Sequence, residues 1–401
     1  MTDLELLFLV LGIIYLWECG WWARRGSFGF RTWLGKHWTI ARPSRALGTQ
    51  RSGLVVAAPL PPLGTLLTTH GFPLSISPQG VLTLAGPGLE FNATCPQPGR
   101  FAAFAELKQI EARAKSVRLN GKEFLKAASP MFAAHLADLI EKIRSATIAD
   151  RKKLIEQELA RAFDAKTVER VWGEFQKDAA GLRFSVNLLF VYLFALTPFM
   201  LWRVGLVRGW PWILAGLLIC TLTIAVHYHG THKKFYPKAE DERFTHFIIL
   251  LLSPASAVRA LDLLTRPLLE TFHPLAVAKV FCSQSQFQSL ATEFLREITY
   301  PAVRIPADAQ PDAVSAQSFA RELNQSLMES FLRRSGLEPK QLLRPPAATD
   351  PSCQSYCPRC LAQYTKPAGD CPDCGGVELM AFPPNIAASS PGPKSQSSTR
   401  K

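Results

Sequence analysis

A chain of 401 residues with 48% apolar and 19% charged side chains has room for two or three domains, and its apolar content excludes disorder throughout. Its 45 basic against 32 acidic side chains leave a formal charge of +13, which serves a nucleic acid, an anionic lipid surface or membrane topology according to where it lies. Of the nine cysteines, Cys19, Cys95, Cys220 and Cys282 are scattered, whereas Cys353, Cys357, Cys360, Cys371 and Cys374 crowd near the end; this pattern suits metal thiolates in a reducing compartment better than a disulfide framework.

Residues 4–22, LELLFLVLGIIYLWECGWW, are apolar apart from Glu5 and Glu18 and close in Trp17, Trp21 and Trp22, which predicts a transmembrane helix with an interfacial aromatic belt. The competing secretory signal peptide needs a basic start and a small-residue cleavage site, and the opening MTDLE supplies no basic residue. Residues 23–183 then predict a cytoplasmic α+β domain. Its early half reads as short strands: GLVVAAPLPP, FPLSISPQGVLTL with a Ser-Pro-Gln-Gly turn, and KSVRLNGKEFL, where Asn120-Gly121 is a strong hairpin signal. The later half is helical, with Phe132, Leu136, Leu139 and Ile140 at helical spacing behind Ser129-Pro130, then ADRKKLIEQELARAF. A third helix from Lys166, carrying Val168, Val171 and Phe175, is expected to run toward the membrane at Arg183.

Residues 184–202 and 211–228 predict a transmembrane hairpin, since each is long enough to cross a bilayer and neither contains Asp, Glu, Lys or Arg. RVGLVRGW, residues 203–210, is the expected loop; Pro198 should kink the first helix, and Asn187 should face a partner helix or a second subunit. Residues 244–269 have the length for a fourth span, but Ser253-Pro254, Arg259, Asp262 and Arg266 interrupt them. An interfacial or re-entrant helix with Arg259 and Asp262 paired fits better. Residues 270–340 predict a helical cytoplasmic region, in which Phe319, Leu323, Leu327 and Phe331 form a packing stripe that ends in a Gly336 cap. The tail, residues 383–401, is disordered by composition.

The fold class is therefore a multi-pass α-helical membrane protein with a cytoplasmic α+β domain, a helical C-terminal region and a small β module. Arg24, Arg25, Arg31, Lys36, Arg42 and Arg45 follow the first span, and Lys233 and Lys234 follow the hairpin. Both flanks place the N-terminus outside and the C-terminus in the cytoplasm of a membrane such as the bacterial inner membrane. A cytoplasmic C-terminus also keeps the crowded thiols reduced, which favours three spans over four.

Two clusters have the residue types for chemistry. His227, His229 and His232 sit in HYHGTHKK as a second metal or proton site, although on a continuous helix only His229 and His232 share a face; His246 and His273 would join them only if the fourth apolar segment folds back. The stronger signal is Cys357-Pro-Arg-Cys360 followed by Cys371-Pro-Asp-Cys374-Gly-Gly, two knuckles that bring four thiolates to one ion, with Cys353 as an extra ligand or a free thiol. Over residues 353–382 the sequence resembles the zinc-ribbon class of small domains. That resemblance implies a β fold and a structural Zn2+, with no reaction attached. An iron centre shares the sulfur geometry, but the short gap between knuckles favours the ribbon.

The functional expectation is a membrane-anchored module for interaction or assembly, with the lipid bilayer and a protein partner or a second copy as its contacts and no catalysis. One alternative is a membrane enzyme or transporter using the three histidines. A membrane-tethered nucleic-acid binder is a second, but Arg359 and Lys366 alone make a thin basic surface on the cysteine module, and basic residues elsewhere cluster at the spans.

Overall fold

The computed structural model describes residues 5–6, 9–13, 39–41, 55–57, 59–60, 64–65, 80–84, 87–93, 100–127, 130–237, 239–258, 260–300, 311–374 and 376–383. The protein is mostly helical with a smaller β region, and it divides into two compact units. The first comprises Met1–Leu290 with Ser315–Ala320, the second Ala291–Val314 with Arg321–Lys401. Of the expected first span, residues 5–6 and 9–13 are described, as helix; the remainder lies outside the described residues, as do Ser77, Pro78 and Gln79 of the Ser-Pro-Gln-Gly turn and the tail from residue 384.

The β region of the first unit is built from local antiparallel pairs: β1 (Thr39–Ala41) with β2 (Val55–Ala57), β3 (Pro59–Leu60) with β4 (Gly64–Thr65), and two three-stranded meanders. One meander runs β5 (Gly80–Leu84), β6 (Gly88–Ala93), β7 (Arg100–Ala103); the other runs β8 (Ile110–Arg113), β9 (Ser116–Leu119), β10 (Lys122–Lys126). Asn120 and Gly121 form the β9–β10 turn with φ of 50° and 78°, the left-handed pair that a two-residue hairpin requires. The Asn120 side chain also accepts from the Lys108 and Gln109 amides and donates to the Glu106 carbonyl, so one residue fixes both the turn and the preceding loop.

Three amphipathic helices follow: α1 (Pro130–Ser145), α2 (Ile148–Ala162) and α3 (Ala165–Asp178). The helix α1 buries Phe132, Leu136 and Ile140 on one face, as the spacing predicts. Thr147 and Asp164 cap α2 and α3 by accepting from the Asp150 and Lys166 amides. Only Ala179 separates α3 from the next helix, so the expected continuation of the third helix holds but for one non-helical residue.

Two helices are long and apolar enough to cross a membrane: α4 (Ala180–Val204) and α5 (Leu206–Phe235). Gly205 alone joins them, at φ 79°, in place of the eight-residue loop expected from the sequence. A glycine admits the one left-handed step needed to reverse the chain. Pro198 takes effect as a π-helical turn over Tyr192–Leu196, where the ladder absorbs its missing N–H. The Tyr192 hydroxyl donates to the carbonyls of Trp212 and Ile213 at 3.2 and 3.0 Å, and Gly216 leaves the gap that the ring fills. Asn187, expected to meet a partner, is half-buried.

The segment 244–269 is three helices: α6 (Glu240–Leu252), α7 (Pro254–Ala257) and α8 (Ala260–Glu270). Ser253 caps α7 by accepting from the Ser256 amide, and Pro254 begins it, so the chain turns where a continuous span would have to run on. Helix α6 returns along α5, bringing Phe247 edgewise to His229 and His246 to Tyr228. The expected Arg259–Asp262 pair lies outside the residues whose side chains are described. Helices α9 (Pro274–Phe281) and the first part of α10 (Gln284–Thr299) complete the unit; His273 caps α9 and stacks on Phe163 with centroids 4.0 Å apart.

In the second unit, the later part of α11 (Pro311–Arg334) buries Met328, Phe331 and Leu332 and ends at Gly336, φ 81°, where the Leu337 amide donates to the Leu332 carbonyl. After α12 (Pro339–Leu342), five short strands form two small sheets. These are a three-stranded sheet in the order β12 (Gln363–Tyr364), β11 (Ser355–Tyr356), β15 (Met380–Ala381), and the pair β13 (Asp370–Cys371) with β14 (Val377–Glu378).

Candidate metal centre

Each C-P-x-C stretch folds as a tight turn with its first cysteine at a strand edge: Cys357 directly follows β11 and Cys371 ends β13. The Leu361 amide donates to the Cys357 carbonyl at 2.8 Å and closes the first turn, with Leu361 itself in the left-handed region at φ 65°. The second turn closes through Gly376, φ 97°, whose amide lies 3.5 Å from the Cys371 carbonyl.

The turns bring Cys357, Cys360, Cys371 and Cys374 together, with all four Sγ atoms within 4.8 Å of one another. The Cys360 and Cys371 sulfurs are 3.7 Å apart. A tetrahedron with metal–sulfur bonds of about 2.3 Å has an edge of about 3.8 Å, so the spacing fits one ion between four thiolates. Cys357 and Cys371 are fully buried and Cys374 nearly so, packed with Val377 and Leu379 against Tyr300 and Tyr364. Cys360 is half-buried. The donor set is entirely sulfur, which could bind a metal ion such as zinc.

Electrostatics favour a cation there. Burial pushes the Cys357 and Cys360 thiols up, because a thiolate loses its hydration in this core. Burial also acts upward on Cys371, but hydrogen bonds from the Tyr364 hydroxyl at 3.2 Å, from neighbouring thiols and from the Cys374 amide outweigh it and bring Cys371 down to about 7. Ionising all four thiols in one buried space requires a positive partner, so loading releases protons and strengthens as pH rises.

Two arginines join parts of the second unit. Arg359 donates to the Glu297 carboxylate at 3.2 Å, and the buried Arg296 donates to the carbonyls of Leu342 and Arg344, closing the end of α12. Cys353 stands outside the four-thiol group and is half-exposed.

The three histidines of the hairpin take separate environments. The His227 Nδ1 lies 2.8 Å from Ser185 Oγ on α4, against Gly181; His229 is exposed beside Phe247; His232 is fully buried. Among the described residues the four cysteines are the group of three or more potential ligands whose donor atoms converge. His246, conditional on the fold-back of the fourth segment, does reach α5, whereas His273 packs elsewhere. Glu242, beside His246, gives no motif in the sequence; its burial follows from a helix pairing that residue spacing does not encode.

Comparison with protein-family models, with curated proteins and with solved structures returns no match for the chain.

Proposed function

We propose that this is a multi-pass integral membrane protein whose C-terminal module is a zinc ribbon, held rigid by a structural Zn2+ on Cys357, Cys360, Cys371 and Cys374, and that the ribbon docks a protein partner or a second copy on the cytoplasmic side. The observation that carries the reading is the closed sulfur site. Four thiolates, three of them buried, would leave no open coordination position for a substrate, so the metal supplies shape and the module supplies a surface.

Membrane insertion is supported by exposure as well as composition. A core helix of a soluble protein is mostly buried, yet the apolar windows of α4 and α5 are only 28% and 33% buried. Phe199, Trp202, Val207, Trp212, Leu218, Ile219 and Val226 face outward. Trp202, Trp210 and Trp212 gather at the turn, where Arg203 stacks on Trp202 at 5.1 Å, an aromatic girdle for the far interface. At the other end Lys234 pairs with Asp178 at 2.6 Å beside Lys233, a basic end for the cytoplasmic face.

Metal analysis of full-length protein in detergent, paired with partner capture from native membranes, tests this. One zinc per chain, lost with a stably captured partner in Cys357→Ser/Cys371→Ser, is the expected result. Capture that persists without zinc, or the absence of any stable partner or self-association, refutes the docking role.

A further inference from the structure

Where α6 returns along the end of α5, polar side chains of the two helices are buried along their seam. Tyr228, on α5, is fully buried, and its hydroxyl lies 2.6 Å from His246 Nδ1. With the hydroxyl as donor, the neutral His246 ring carries its proton on Nε2, which faces Glu242 Oε1 at 3.8 Å, just beyond direct hydrogen-bond reach. Antiparallel packing that pairs Tyr228 with His246 sets the next turn of each helix level, which puts His232 opposite Glu242. His232 is fully buried with neither ring nitrogen hydrogen-bonded, and Glu242 Oε2 is likewise buried and unpartnered.

Unsatisfied polar atoms in such a place are costly. A buried carboxylate keeps a full charge out of water even where an imidazole N–H faces it; a carboxylic acid carries no charge and presents an O–H to the imidazole nitrogen. We propose that Tyr228, His232, Glu242 and His246 form a proton-binding site, in which Glu242 takes up one proton, shares it with His232, and in that neutral form holds α6 against α5. This goes beyond the reading of the cysteine module and does not depend on it.

The surroundings agree. Burial pushes the Glu242 carboxyl up to about 7, with Lys115 of the β8–β9 turn pulling the other way. Burial and the same lysine bring His246 down to about 4, so the proton rests on the carboxyl rather than on the ring. On α6, Arg243 pairs with Glu240 at 3.0 Å. On α5, His229 is exposed, and Tyr236 donates to the Leu264 carbonyl at 2.6 Å. Among the described residues outside these helices, Lys115 is the cation that acts on both Glu242 and His246. The third turn from the end of α5 is also where an interfacial proton site belongs: the helix, at about 1.5 Å per residue, outruns a hydrocarbon core of about 30 Å, and its last turns reach water.

The test is infrared titration of the full-length protein in lipid nanodiscs, following the carbonyl stretch of protonated carboxyl groups. The expected result is a band that titrates near pH 7, is absent in Glu242→Gln, and moves to lower pH in His232→Phe. Glu242→Gln retains the size and a donor of the loaded form and should keep the wild-type fold; the wild-type titration decides the matter even if it does not. A carboxyl titrating near 4.5 throughout, a neutral-pH band that survives Glu242→Gln, or a metal ion retained by the wild type and lost in that variant overturns the proposal.

Discussion

At the scale of the residue, the four-thiol site rests on backbone steps that the two knuckles take differently. The second closes on Gly376, free to adopt φ 97°, whereas the first closes on Leu361 at φ 65°, where a Cβ crowds the following carbonyl oxygen. Leu361→Gly should relieve about 1 kcal/mol of that strain, offset in part by the greater freedom of the unfolded chain. The expected readout is slower loss of metal to a chelator and a higher melting temperature for the loaded module. Faster loss instead would show that the Leu361 side chain contributes more by packing than its backbone costs. The cysteine site was legible because its information is local: two residues between cysteines fix a turn, and ten between turns fix a hairpin. The hairpin histidines were not legible as a set, because the partner of each is chosen by a helix distant in sequence, Ser185 for His227 and Phe247 for His229.

At the scale of the element, α4 and α5 are held by one specific contact as well as by apolar surface. Adding a Cβ to Gly216 would place it 2.2 Å from the Tyr192 hydroxyl, so Gly216→Ala must push the ring tip away from the Trp212 and Ile213 carbonyls. Tyr192→Phe removes the same bonds without steric conflict. Each substitution should destabilise the hairpin by about 1 kcal/mol in denaturation from mixed micelles, and the double variant by little more than either single one. Additive losses would mean that the glycine matters for close helix approach and not for the tyrosine. The existence of both helices was plain from their apolar length; their ends were not. Pro211 looks like a helix start by local preference, yet α5 begins at Leu206 and carries that proline inside, because a single left-handed glycine lets both helices extend and bury more of their facing sides. The same limit applied to residues 244–269, where Ser253-Pro254 marked the break but not the direction of return.

At the scale of the whole molecule, the β8–β9 turn, the α4–α5 hairpin and α6 share one electrostatic problem, and its pH dependence can be worked out. Glu242 has its folded value raised from 4.5 to about 7, so its contribution to stability is fully present below 4.5 and is lost as pH rises through about 7. His246 has its folded value lowered from 6.5 to about 4, so its contribution is present above 6.5 and is lost as pH falls through about 4. Between 4.5 and 6.5 the two slopes oppose each other, and the pair keeps α6 docked across the mildly acidic range. Glu242→Gln removes the first slope and leaves the second. Thermal unfolding of the two proteins in the same nanodiscs, measured from pH 4.5 to pH 8, should therefore give a difference that is not constant. The wild type should lose ground against Glu242→Gln as pH rises toward 7 and hold a steady deficit above it, because only the wild type must then bury a carboxylate. A difference that is flat across this range would mean that the carboxyl reaches water in the folded protein and that α6 is held by its apolar contacts alone.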